Sequence, residues 1–234
     1  MRVAELWRYP VKSMQGEQLD VADVGPLGIV GDRQWALVDT ATGLALTARR
    51  QPELLFANAR LDGDGVVVEL PDGTATTDDD VLSAWLGRGV SLQRAGAPAN
   101  YEIALDFENE MGSEWVQWSG PAGSFHDSGR TQVSILATGS LGDWDRRRFR
   151  GNVIVDADDR AEDALVGSVV RAGTCALDVV KQIDRCVLTT RPQPGGIARD
   201  LDVLRTINKE RATYLGAGAL VATPGTIHVG DEVG

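Results

Sequence analysis

The chain has 234 residues, 43% of them hydrophobic, with two cysteines and a formal charge of −11. That apolar content supplies one large core or two modest ones and leaves no need for a disulfide scaffold. The acidic field opposes general binding to nucleic acid or to an anionic membrane. No apolar run approaches the roughly 20 residues of a bilayer span, and Met1-Arg2-Val3-Ala4-Glu5 lacks a signal-peptide core. The expectation is a cytoplasmic protein with no membrane or nucleic-acid partner.

In chain order, residues 3–9, 34–39 and 66–70 are short, β-prone and separated by Gly, Pro and Asp turns, which predicts a β-rich amino-terminal domain over residues 1–94. Thr77 followed by Asp80, with Val81, Leu82 and Trp85 on one face, predicts a short helix over 78–87. Residues 95–129 lose periodicity and collect Gly, Ser, Pro and acidic residues, so they read as a linking loop at the head of a second domain, 95–234. That domain resumes with a strand at 133–137 and with Ser140 opening a helix toward Arg148. Further strands are expected at 168–172, 176–180, 186–190, 219–223 and 226–229, with one clear helix from Asp200 to about Lys209. The fold class is mainly β with peripheral helices (α+β), and barrel closure is the economical way to remove so many strand edges.

Two segments carry chemistry. In Asp184-Arg185-Cys186-Val187-Leu188-Thr189-Thr190 a thiol sits beside a guanidinium. Positive charge favours the thiolate, which is both a nucleophile and the soft ligand of transition metals; a small buried hydrophobe is the plainer alternative for Cys186. Trp144-Asp145-Arg146-Arg147-Arg148-Phe149-Arg150-Gly151-Asn152 places four arginines within five positions of an acidic chain. Guanidinium forks suit phosphate, although arginines also favour a helix end. With only His126 and His228, a His-rich metal site is impossible. His228 reads as structural or surface, and His126, between hydroxyl and carboxylate neighbours, as a loop histidine open to tuning. Walker, Rossmann, Cys-x-x-Cys and His-Glu-x-x-His signatures are absent from the sequence.

Together these segments resemble the MOSC domain: Asp184 to Thr190, Arg148-Phe149-Arg150-Gly151-Asn152, and Thr223-Pro224-Gly225-Thr226-Ile227-His228-Val229-Gly230-Asp231. Leu6-Trp7-Arg8-Tyr9-Pro10-Val11-Lys12-Ser13, Gly31-Asp32-Arg33-Gln34-Trp35 and Thr47-Ala48-Arg49 are similar to the β-barrel domain that precedes MOSC in the amidoxime-reducing family and its bacterial relatives. The resemblance implies a smaller β-rich domain followed by a MOSC β-barrel, and a site for the molybdenum cofactor (Mo-molybdopterin). Cys186 would give the metal its thiolate and serve as the catalytic ligand. Lys12, Ser13, Arg33, Arg150, Asn152 and Arg185 would hold phosphate and pterin, with Thr138 and Ser140 as weaker hydroxyl candidates.

The implied activity is reduction of small N-hydroxylated or N-oxygenated compounds. Electrons would come from a separate iron-sulfur, flavin or cytochrome protein, since nothing follows Gly234 to carry a cluster. Asp231 and the loop around His126 are candidates for assisting protonation. Sulfur transfer through a persulfide on Cys186 and non-catalytic carriage of the cofactor are the alternatives. Three positions depart from the pattern. Gly151 replaces a proline and would loosen its loop, Asp184 replaces a small neutral residue and would repel phosphate or pair with Arg185, and Arg130 adds a charge near the pocket.

Overall fold

In the computed structural model, which describes residues 1–104 and 112–234, a curled seven-stranded sheet organises the chain. Its order is Val169–Ala172, Cys175–Asp184, Tyr214–Thr223, Val133–Ala137, Val153–Asp156, Arg2–Arg8, Glu17–Leu19. Val133–Ala137 and Val153–Asp156 run parallel and are almost wholly buried, in keeping with their Val- and Ile-rich sequences, Ser134 being the one polar residue inside the first. All other neighbouring pairs are antiparallel. Three register shifts along Cys175–Asp184 and one in Arg2–Arg8 raise the local twist and bend the sheet.

The last residues lie between the strand at one edge and the start of the chain. Arg171 N donates to Gly234 O at 2.8 Å, and Val233 N donates to Met1 O at 2.8 Å. A three-stranded sheet of Gly225–His228, Val21–Gly25 and Gly28–Ile29 packs through Ala22, Val24, Ile29 and Ile227 against the core of the curled sheet. The enclosed core includes Leu6, Ile135, Val153, Leu177, Val179 and Ile227. The first 25 residues are therefore woven into the sheet of the carboxy-terminal half.

A second core around Leu37, Leu54, Leu55, Val68 and Leu82 is built from the pair Trp35–Asp39 and Val90–Arg94, the meander Asn58–Asp62, Gly65–Glu69 and Ala75–Thr76, and the helix Asp79–Leu86. That helix is capped by Asp78 rather than by Thr77, its carboxylate accepting from Asp80 N at 2.8 Å and Val81 N at 3.3 Å. It stops at Gly87, whose φ of 65° a side chain would resist.

The mainly β expectation is borne out, but several local expectations need correction. The segment 95–129 is not simply a loop, because Asn100–Ala104 and Trp115–Ser119 form a hairpin anchored by the buried Tyr101; residues 105–111 lie outside the described residues. Ser140 does not open a helix running to Arg148. It sits inside a single turn, Thr138–Leu141, followed by Gly142, and Arg146–Arg148 form a separate 3-10 turn capped by Asp145.

Cys186 does not begin a strand. The sheet strand runs through Asp184, and Val187–Thr190 close a 3-10 turn held by Thr189 Oγ donating to Cys186 O at 3.0 Å and Thr190 Oγ to Val187 O at 2.8 Å. These local hydroxyl bonds override the β propensity of the Val and Thr residues. The last helix spans Asp202–Arg211, two residues later than expected, with the Asp200 carboxylate accepting from Asp202 N at 2.9 Å.

Candidate functional site

A cavity of about 500 Å³ opens beside the second core, whose Ala48 and Leu188 line it, and takes residues from both halves of the chain. The loop after the first strand brings Lys12 and Ser13, the turn before Trp35 brings Arg33, and Thr47 to Arg49 form one wall. From the carboxy-terminal half come Phe125 to Ser128, Arg148 to Arg150, and the end of Cys175–Asp184 with Arg185 and Cys186. Seven cationic side chains line it against two carboxylates, Asp127 and Asp184, inside a protein of charge −11. The site is a local positive field in an acidic molecule, suited to an anionic ligand.

Backbone strain gathers here. Of the six non-glycine residues with positive φ among those described, three line this cavity: Ser13 (68°), Arg33 (50°) and Arg150 (52°). Such conformations cost of order 1–3 kcal/mol each and persist where the surroundings over-determine them. Ser13 Oγ accepts from Ala48 N at 3.0 Å, and Arg33 N donates to Tyr9 O at 2.7 Å. Tyr9 N in turn donates to the buried Asp32 carboxylate at 2.7 Å. The left-handed residues aim their side chains from tight turns that ordinary strands could not make.

Two guanidinium groups share one aromatic ring. Arg150 lies 4.4 Å and Arg33 5.1 Å from the Tyr9 centroid. Burial, then the Arg33 charge, draws Arg150 down to about 10, so it stays protonated at neutral pH. Burial lifts the Tyr9 phenol to about 12, so the ring stays neutral beside both cations. Arg150 Nη1 donates to Met14 O, whereas its Nη2 is buried with no hydrogen-bond partner.

Arg185 repeats the pattern. Its Nε donates to Leu215 O at 2.7 Å and Nη1 to Phe149 O at 2.9 Å, while Nη2 is buried and unmatched. Burial, against the opposing pull of Cys186 and Asp184, lowers it to about 10. Gly216, at φ +97°, makes room for this group, since a Cβ there would lie 2.9 Å from Arg185 Nη2 and 2.5 Å from Leu136 Cδ2. An unmatched buried donor costs about 1–3 kcal/mol, more when charged. Both residues line the one cavity, and guanidinium groups with donors to spare suit an anionic group carrying several acceptor oxygens.

Lys12 and Asp127 form a third element. The Lys12 ammonium pairs with the Asp127 carboxylate, donates to Phe125 O at 2.8 Å, and lies 4.5 Å from the Tyr101 centroid. Burial lowers the Lys12 amine below its ordinary range in spite of Asp127. The Asp127 side chain keeps 58% of its surface exposed; the desolvation it does suffer raises its carboxyl, but Lys12 and Arg49, whose guanidinium is 3.9 Å away, outweigh that and hold it below the usual range. His126 Nε2 is buried without a hydrogen-bond partner, 3.8 Å from Asp32 Oδ2. Burial, then Arg33, drives this imidazole down to about 4, so it is neutral at pH 7.

Seven of the nine residues singled out from sequence, Cys186, Lys12, Ser13, Arg33, Arg150, Asn152 and Arg185, line the one cavity. Cys186 is half-buried there. Asn152, 1% exposed, is committed inward: Oδ1 accepts from Ser134 Oγ at 2.8 Å and Nδ2 donates to Trp7 O at 3.2 Å, so it braces the wall. Thr138 and Ser140 are not brought to the cavity. Thr138 Oγ1 donates to Ala157 O at 3.2 Å, and Ser140 Oγ donates to the buried Glu162 at 2.8 Å, which consumes both hydroxyls.

Asp231 Oδ2 accepts from His228 N at 2.8 Å, and neither residue lines the cavity. Asp184 pairs with Lys181 at 3.4 Å rather than with Arg185. Gly151 is closely packed rather than loose, because a Cβ there would lie 2.3 Å from Leu136 Cδ1. Arg130 is exposed and its neighbour Thr131 lines the cavity instead. Sequence reasoning passed over Arg49, which ends the Thr47-Ala48-Arg49 motif, and Asp127, which follows His126. It also passed over Lys181 and Trp118, which no local pattern marks.

Residues 1–99 match the family described as MOSC N-terminal beta barrel domain, and residues 123–234 match the MOSC domain. Mitochondrial amidoxime-reducing component 1 of Homo sapiens is 27% identical over 282 residues, covering 99% of this chain and 82% of that protein. Mitochondrial amidoxime reducing component 2 of Homo sapiens is 28% identical over 291 residues, covering 99% and 82%. The molybdenum cofactor sulfurase of Drosophila grimshawi is 24% identical over 248 residues, covering 94% of this chain and 32% of that protein.

Proposed function

We propose, starting from the premise that this chain is a MOSC domain protein related to the mitochondrial amidoxime-reducing components, that it holds the molybdenum cofactor in this cavity and reduces N-hydroxylated compounds. The observation that carries the reading is the company Cys186 keeps: its thiol shares one cavity with Arg150 and Arg185, each with a buried, unmatched Nη2 donor. Among the described residues no cluster of three or more His, Cys, Asp or Glu side chains suits a metal, so a metal at Cys186 would arrive with ligands of its own. A dithiolene-bearing pterin phosphate meets that requirement.

In this reading Arg150 and Arg185 donate to the phosphate and pterin from fixed, desolvated positions, and the left-handed Ser13 and Arg33 complete the cradle with Lys12. Cys186 gives a single thiolate. The cofactor, when bound, supplies a metal that exchanges two electrons and one oxygen atom. The net reaction breaks the N–O bond of an N-hydroxylated substrate, consumes two electrons from a separate iron-sulfur, flavin or cytochrome protein together with two protons, and releases water. Neutral His126 and the Lys12–Asp127 pair keep the polar face of the cavity fixed while the protons are supplied from solvent.

The test is turnover. Protein made in a host competent for cofactor synthesis, reduced by an artificial low-potential donor, should convert an N-hydroxyamidine to the amidine with two electrons per molecule. Sulfur transfer is the second reading, favoured by the similarity to the molybdenum cofactor sulfurase over 94% of this chain; Cys186 would then carry a sulfane sulfur from a separate donor. Cofactor loading without turnover, together with release of sulfide from the loaded thiol by dithiothreitol, would favour that reading over the first.

A further inference from the structure

We infer that Trp118 forms a pre-set aromatic wall at the substrate end of the cavity and selects flat, ring-bearing N-oxygenated compounds; the inference rests on the reductase reading and deepens it. The cations that suit an anionic cofactor come from the inner walls, whereas Trp118 enters the cavity lining from the hairpin Asn100–Ala104 and Trp115–Ser119. It is a large apolar side chain left 46% exposed overall, it lines the cavity, and the apolar Ile183 and Leu188 line the same space. An exposed aromatic face beside a few polar groups is the usual make-up of a small-molecule pocket.

The wall is held rather than floating. Trp118 stands directly opposite Tyr101 across the hairpin, so both side chains project to the same side. Tyr101 is fully buried, and its hydroxyl donates to Asp127 O at 2.9 Å. Arg50 clamps the same hairpin twice, pairing with Glu102 and lying 4.4 Å from the Trp115 centroid. A hairpin tied down at Tyr101 and at Arg50 presents the Trp118 ring with less freedom to lose on binding than a free loop would. Offset stacking then favours a flat ring over a methyl group.

The experiment compares two probes, an N-hydroxyamidine bearing a phenyl ring and one bearing a methyl group, on the cofactor-loaded enzyme. Trp118→Ala should lower the phenyl-to-methyl ratio of kcat/KM by on the order of threefold to tenfold, expressed in KM, with molybdenum and pterin content unchanged. Trp118→Phe, which keeps a ring, should retain most of the selectivity. Equilibrium dialysis of the phenyl probe against wild type and Trp118→Ala keeps the test independent of turnover: tighter binding to wild type supports the wall even if the enzyme proves not to be a reductase. An unchanged ratio with equal binding overturns it, and so does loss of molybdenum and pterin in Trp118→Ala, which would assign the indole to the cofactor instead.

Discussion

The Arg150 guanidinium lies over the buried Tyr9 ring at 4.4 Å, and Arg33 lies 5.1 Å from the same ring. Two like charges so close would repel, and the attraction of each to the neutral π system offsets part of that cost. Tyr9→Leu should therefore weaken retention of an anionic cofactor by about tenfold, whereas Tyr9→Phe, losing only the 3.4 Å contact to Gly151 O, should change it little. Cofactor release after gel filtration separates the two variants; equal release would refute a role for the ring.

Gly216 sets the position of Arg185. An alanine there meets a φ of +97° and a Cβ 2.5 Å from Leu136 Cδ2, which should destabilise the fold by about 1–3 kcal/mol and displace the guanidinium. Urea midpoints and pterin content should both fall in Gly216→Ala. A variant of wild-type stability with full pterin would show that this close approach is not needed.

The buried His126 makes stability depend on pH in a defined direction. Its folded-state value near 4 lies below the unfolded value of about 6.5, so between these limits the unfolded chain takes up a proton that the native state refuses. Stability is fully present above about pH 6.5 and falls by up to about 3 kcal/mol as pH drops toward 4. The depressed Asp127 carboxyl acts in the same sense in a lower window, contributing above about pH 4 and lost on further acidification. Denaturant midpoints of the apoprotein at pH 7, 5.5 and 4.5 should show the slope, and His126→Gln should flatten it above pH 4.5.

How much of this was legible in the sequence follows from how local each determinant is. The strands Arg2–Arg8, Trp35–Asp39 and Val133–Ala137 declare themselves by apolar, β-prone runs, and the motif residues Lys12, Arg33, Arg150 and Arg185 do arrive at one cavity. The turn at Cys186 was hidden because hydroxyl bonds from Thr189 and Thr190, both β-favouring types, decide it. The Lys12–Asp127 pair joins residues 115 apart, so no window of sequence contains it. The hairpin under Trp118 was passed over although Trp115-Val116-Gln117-Trp118-Ser119 has strand composition, because the surrounding Gly, Ser and Pro masked it.

Ser140 illustrates the opposite error, a polar residue credited with a ligand while a buried carboxylate already holds it. Its hydroxyl serves Glu162, which is fully buried and whose carboxyl is raised by that burial. Ser140→Ala should cost about 1–3 kcal/mol in stability and leave molybdenum and pterin content unaltered. A selective loss of cofactor at unchanged stability would return Ser140 to the site.

The most direct measurement is molybdenum by elemental analysis together with oxidised-pterin fluorescence, on wild type, Cys186→Ala and Arg150→Ala from a cofactor-competent host. About one molybdenum and one pterin per wild-type chain are expected, with metal lost in Cys186→Ala and both reduced in Arg150→Ala. Wild-type protein carrying neither, or Cys186→Ala carrying full metal with undiminished turnover, would contradict that expectation.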